Sequence, residues 1–170
     1  MNVVVQDTST LLNLLKTGLM RQTVECLGLH IFTTDLVARE VVSQKAAFVA
    51  SVTKGWIEIS TLTALEVVAL VTERQKVKGL TLQDVSVVSL ARDLKCPLFS
   101  SDGPLRTYAH ACHIIVHGEL WILDKLVDGQ HLPPADAARF LRAMLADKAR
   151  LPAAEVASRL AKWDAPNQQP

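Results

Sequence analysis

The chain is poor in aromatic residues and has almost no excess of charge. Phe, Trp and Tyr make up 5% of 170 residues, and 18 Lys and Arg stand against 17 Asp and Glu, for a formal net charge of +1. That balance excludes the global basic field of a histone-like or coat protein, so any contact with nucleic acid must be local. No apolar run approaches the ~18 residues that a membrane span needs. The start, Met1-Asn2-Val3-Val4-Val5-Gln6-Asp7, has no basic stretch ahead of a long apolar one and does not read as a signal peptide. A cytoplasmic protein without a membrane is expected. Cys26, Cys96 and Cys112 are odd in number and none falls in a CxxC pair, which excludes a disulfide framework and a thiol redox motif.

What is present is a hydrophobic fraction of 49% and a mean hydropathy of +0.23, enough for one domain with a core of its own. Val3-Val4-Val5 predicts a strand that feeds a helix through Leu11, Leu12, Leu14 and Leu15. A helix over 18–27 follows, then a strand at Leu29-His30-Ile31-Phe32 and a helix opened by Thr33-Thr34 that carries Val37, Val41 and Val42. Trp56-Ile57-Glu58-Ile59 alternates like a strand. Helices are predicted at 63–77 and 81–95, a strand at Pro97 to Ser100, a helix at 105–111 and a strand at His113 to Val116. From Gly118 the pattern is helical: 118–128, Pro133-Pro134 to about 148, and Pro152 to about 163. The tail from Asp164 to Pro170 is expected to fray. Strands alternating with helices define an α/β class with a parallel sheet covered on both faces.

Four acids, Asp7, Glu40, Asp84 and Asp102, each sit beside an apolar stretch. Asp7 and Asp102 directly follow predicted strands, and ligands of parallel α/β sheets bind beyond such strand ends. Converging carboxylates would supply the oxygen ligands that Mg²⁺ or Mn²⁺ takes. Each acid also has a structural use: Asp7 and Asp102 as helix N-caps, Asp84 in the approximate capping box Thr81-Leu82-Gln83-Asp84, and Glu40 as a solvated helix residue. No GxxxxGK[ST], GxGxxG or GxSxG motif competes with the acids. Zinc is a weak alternative. Cys26, His30, His110, Cys112, His113 and His117 lack short paired spacing, and on a strand His113 and His117 would stand ~13 Å apart.

The segments around these acids resemble the PIN-domain ribonucleases, including the VapC-type toxins of toxin–antitoxin pairs. The matching pieces are Val3-Val4-Val5-Gln6-Asp7-Thr8-Ser9, Thr33 to Glu40, Leu80 to Asp84 with Ser89-Leu90-Ala91, and Leu98-Phe99-Ser100-Ser101-Asp102. The resemblance covers roughly residues 1–118 and continues less sharply through Gly118-Glu119-Leu120. It implies a three-layer sandwich with a central parallel sheet and a helical C-terminal extension: a PIN-like nuclease domain over 1–150, with residues 151–170 a helix and polar tail packed on it. It further implies a metal-dependent endoribonuclease using Mg²⁺ or Mn²⁺, with catalytic and metal-holding Asp7, Glu40, Asp84 and Asp102, and with Thr8, Ser9, Ser100 or Ser101 orienting those carboxylates. The alternative is a PIN-fold interaction or RNA-binding module whose metal site has degenerated.

RNA is the implied substrate, and a small antitoxin and a second copy in a homodimer are the implied partners. Apolar surfaces over 9–27 and 63–77 are candidate interfaces, with burial in the core as their other use. Pro104 stands where many relatives carry a further Asp or Asn, which leaves a second metal fewer ligands and implies either a one-metal site or a weakly active protein. Lys45, Lys54, Arg74, Lys76, Lys78, Arg92 and Arg106 are candidates to grip phosphates.

Overall fold

The computed structural model describes residues 2–165. Five strands form one all-parallel sheet in the order β3-β2-β1-β4-β5. They are β1 (Asn2–Gln6), β2 (Leu29–Thr34), β3 (Ile57–Ser60), β4 (Leu98–Phe99) and β5 (Val116–His117). Ten helices connect and flank them: α1 (Thr8–Thr17), α2 (Met20–Leu27), α3 (Asp35–Glu40), α4 (Lys45–Thr53), α5 (Ala64–Lys76), α6 (Leu82–Asp93), α7 (Gly103–Ala111), α8 (Glu119–Asp128), α9 (Pro134–Ala146) and α10 (Ala153–Asp164). Parallel strands need such crossovers, and the helices cover both faces of the sheet. The result is the expected three-layer α/β sandwich.

The β-branched run of β1 explains its central place, because Val4 and Val5 are buried and Leu11, Leu14 and Leu15 of α1 join the same core. From β1 the chain winds outward through β2 to β3, then crosses to the other side to lay down β4 and β5. The winding therefore reverses between β1 and β4, where the loops after the two strands diverge and open a crevice. Register pairs Val5 with Leu98 and Gln6 with Phe99, so the residues that follow both strands come out side by side.

Several elements differ from the sequence expectation. The helix after β2 stops at Glu40. The Val41 backbone, φ −76° and ψ 80°, is no longer helical, so Glu40 closes a six-residue helix that was expected to carry Val41 and Val42 as well. Helix α4 had no predicted counterpart, because its apolar residues do not gather on one face: of KAAFVASVT only Phe48 and Ser51 are buried. The strand expected from His113 begins at Val116. His113 takes a left-handed φ of +59° and lies in the turn that closes α7, where the Ile114 N–H bonds to the Ala109 carbonyl. The 13 Å strand spacing of His113 and His117 therefore does not apply.

Helix α10 packs on α9, burying Val156 and Trp163, and Arg159 holds Asp124 of α8 at 2.6 Å. Asp164 closes α10, and the tail expected to fray lies, from residue 166, outside the described residues. Among the described residues no helix is long and apolar enough to cross a membrane.

Candidate functional site

Asp7 emerges from β1 in the crevice and caps α1, its Oδ1 accepting the Thr10 N–H at 2.8 Å. Its Oδ2 accepts two hydroxyls, Ser9 at 3.1 Å and Ser100 at 2.5 Å. Ser100 follows β4 and in turn accepts the Asp102 N–H at 3.1 Å. Asp102 caps α7 through Oδ1, which takes the Leu105 N–H at 2.9 Å. One hydroxyl thus ties the loops after the two inner strands together.

Glu119 completes this group. It is the first residue of α8, directly after Gly118 and the end of β5. Its Oε1 accepts the Asn13 amide at 2.7 Å, and its Oε2 accepts the Ser101 hydroxyl. Gly118 permits the approach, because a Cβ there would stand 2.6 Å from Ser101 Oγ. The α8 N-terminus favours the carboxylate electrostatically.

Asp7 is 4% exposed and Glu119 0%, and neither has a Lys, Arg or His partner within 4 Å among the described residues. Burial pushes the Asp7 carboxyl from 3.8 up to about 6. Hydrogen bonds from Ser100 and Thr10 pull it back in part, and the charge of Glu119 pushes it further up.

The four expected acids do not gather into one cluster. Glu40 accepts the Thr8 hydroxyl at 2.6 Å on the exposed rim, one residue from Asp7. Asp84 is held in its own capping box, with Oδ2 taking both the N–H and the hydroxyl of Thr81 at 2.8 Å. Among the described residues no group of three or more His, Cys, Asp or Glu side chains is placed to hold a metal ion, and this covers the histidines and cysteines considered for zinc. The four hydroxyl residues singled out from sequence each touch a carboxylate: Thr8 on Glu40, Ser9 and Ser100 on Asp7, Ser101 on Glu119.

The donor set present, carboxylate and hydroxyl oxygens, suits a hard cation, but it does not form a closed protein cage. Mg²⁺ commonly needs no cage, being held by one or two carboxylates together with water and substrate phosphate. The Asp7–Glu119 pair with Asp102 beside it fits that kind of site.

A cleft of about 310 Å³ opens above these residues, lined by Ser9, Asn13, Ser101, Asp102 and Glu119 and closed on the far side by Asp147 to Arg150. Lys16 stands in its wall and pairs with Asp147. Of the seven cations proposed as phosphate grips, Arg106 contacts the site, donating to the Ser100 carbonyl at 2.9 Å. Arg92 is engaged with Glu73, Arg74 with the Leu80 carbonyl, and Lys54 lies over Trp56.

Sequence reasoning missed Glu119, Asn13 and the Lys148–Arg150 stretch. Glu119 did carry a signal. It follows a strand end as Asp7 and Asp102 do, but the strand expected at His113 to Val116 ends one residue before β5 does, at His117.

No curated protein matches the chain. A family model described as a PIN domain matches residues 3–165. PIN domains are generally nucleases that typically use divalent metals. With its parallel sheet, its acids at the winding reversal and a match over nearly its whole length, the chain belongs to the PIN domain family.

Proposed function

We propose that the protein is a divalent-metal-dependent endoribonuclease whose metal is held by the carboxylate pair Asp7 and Glu119, with Asp102 and Glu40 at its edge. The observation that carries this reading is the pair of buried carboxylates, Asp7 and Glu119, without a cationic partner among the described residues. Buried charge of one sign is costly unless a proton or a cation offsets it. A bound Mg²⁺ or Mn²⁺ supplies that charge, polarises a phosphate and lowers the pKa of its water.

The chain's own residues set the frame. Ser9 and Ser100 fix the rotamer of Asp7, Asn13 and Ser101 fix Glu119, and Asp102 keeps one carboxyl oxygen without a partner among the described residues. Hydroxyl and amide donors of this kind orient metal-binding carboxylates elsewhere.

The test is cleavage of a fluorogenic single-stranded RNA by pure protein with Mg²⁺, with Mn²⁺ and with chelator. Wild type should cut only with the cation, and Asp7→Asn should not cut. Unchanged cleavage by pure Asp7→Asn protein would overturn the assignment.

The resemblance to VapC-type proteins supports a toxin role, restrained by a small antitoxin protein. Support for a homodimer comes from α5, where Leu65 is 83% and Val68 64% exposed. Only Leu70 of that helix is buried, so the 63–77 surface is not used as core.

A second reading, a PIN-fold RNA-binding or interaction module without turnover, draws on the capping role of Asp84 and the missing third ligand. Mn²⁺ binding without cleavage of any RNA would select it.

A further inference from the structure

A second and larger cleft of about 630 Å³ adjoins the acid site and shares Ser101 and Arg150 with it. Its walls come from the β5–α8 junction with His117 and Trp121, from α7 with Arg106, and from the α9–α10 connection with Arg150. We propose that this cleft receives the unpaired nucleotide next to the scissile phosphate, with its base against the Trp121 and His117 rings and its phosphate between Arg106 and Arg150. The proposal rests on the nuclease reading for which phosphate is cut, and on its own geometry for what binds.

Three observations converge. The first is an aromatic wall. His117 and Trp121 lie stacked, with centroids 4.3 Å apart at 17°, and neither ring is fully buried. In a chain with so few aromatics, such a pair of rings in the wall of a cleft suits a nucleobase, whose flat face every base offers once it is unpaired.

The second is charge. Arg159 in the same cleft is neutralised by Asp124 at 2.6 Å and by Glu155 at 3.3 Å. Arg106 and Arg150 have no carboxylate within 4 Å among the described residues. Arg106 is also held in place by its bond to the Ser100 carbonyl. A positioned guanidinium without an acid partner is a natural phosphate site.

The third is continuity. The Ser101 hydroxyl holds Glu119 in the acid site while Ser101 also borders the second cleft. A strand passing Arg150 therefore runs from one cleft into the other without leaving the surface. The volume falls within the range of small-ligand sites.

The experiment is fluorescence anisotropy with a 5′-fluorescein hexaribonucleotide in chelator, so that binding is read without cleavage. Arg150→Ala should weaken binding about tenfold and lower the slope of log affinity against log salt by about one. Trp121→Leu should weaken it about five- to a hundredfold. Arg21→Ala, an exposed arginine paired with Glu25 on α2, should bind as wild type, and the same sequence as a duplex should compete poorly.

Wild-type affinity and salt slope in Arg150→Ala overturn the proposal, even if Trp121→Leu fails to fold. Cleavage by wild type together with undiminished binding by both variants removes the cleft and leaves the ribonuclease. Binding losses as expected, with no cleavage by wild type in Mn²⁺, remove the ribonuclease and leave the cleft.

Discussion

Ser100 and Asp7 lie 93 positions apart in sequence, and their side chains meet at 2.5 Å. The hydroxyl donates to the carboxylate and accepts from the Asp102 backbone, so it couples the ends of β1 and β4 and stabilises the charged form of Asp7. Removing it in Ser100→Ala should raise the Asp7 pKa above its value of about 6. Carboxyl-carbon NMR titration of the two proteins in chelator reads this directly. A midpoint that stays put or falls would show that Ser100 does not act on Asp7.

Asp7 should also make the cation-free protein less stable as pH rises. Its folded-state pKa is about 6 against an ordinary 3.8, so the folded form holds the proton more tightly than the unfolded chain. The cost is absent below pH 3.8, grows as pH rises through the window to about 6, and is complete above it, at about 3 kcal/mol. Asp7→Asn should therefore be more stable than wild type at pH 7.5 by up to about 3 kcal/mol and lose that advantage near pH 4. Urea denaturation at the two pH values, in chelator, decides it, and equal midpoints at pH 7.5 would contradict the burial argument.

Glu119 and Asp84 should separate cleanly. Glu119→Gln should weaken Mn²⁺ binding at least about tenfold, the scale on which changes around metal ligands act. Asp84→Asn should cost roughly 0.5–1 kcal/mol of stability through its cap and leave Mn²⁺ affinity within about twofold. Calorimetric titration with Mn²⁺ measures both, and the reverse pattern would restore the four-acid set expected from sequence.

Leu65→Glu together with Val68→Lys should convert a dimer to a monomer without loss of folding, because both side chains are exposed in the single chain. Sedimentation velocity supplies the readout. A wild-type protein that is already monomeric at about 100 µM, well above the ~1 µM scale of a moderate complex, would end the dimer proposal.

The legible parts of this chain were those with a strong local signal. Val3-Val4-Val5 before Asp7, the Thr81–Asp84 box and the Asp102 cap each pair a residue type with a nearby backbone need, and all three form. Helix α4 escaped because its apolar residues do not gather on one face, leaving no periodic stripe to read. The candidate site was half legible. Asp7, Asp102 and their serines are local to strand ends, whereas Glu119 depends on Asn13, 106 positions away, and on a β5 that the left-handed His113 pushes along the chain.

The pairing of β1 with β4, and of Glu119 with Asn13, has a consequence for synthesis. A chain emerging from the ribosome exposes Asp7 early, yet its partner strand and partner carboxylate come only after residue 98 and at residue 119. Because domains fold as their parts become available, an unfinished chain cannot assemble the site. A chain that stops short of residue 119 therefore carries Asp7 without the second carboxylate of the buried pair.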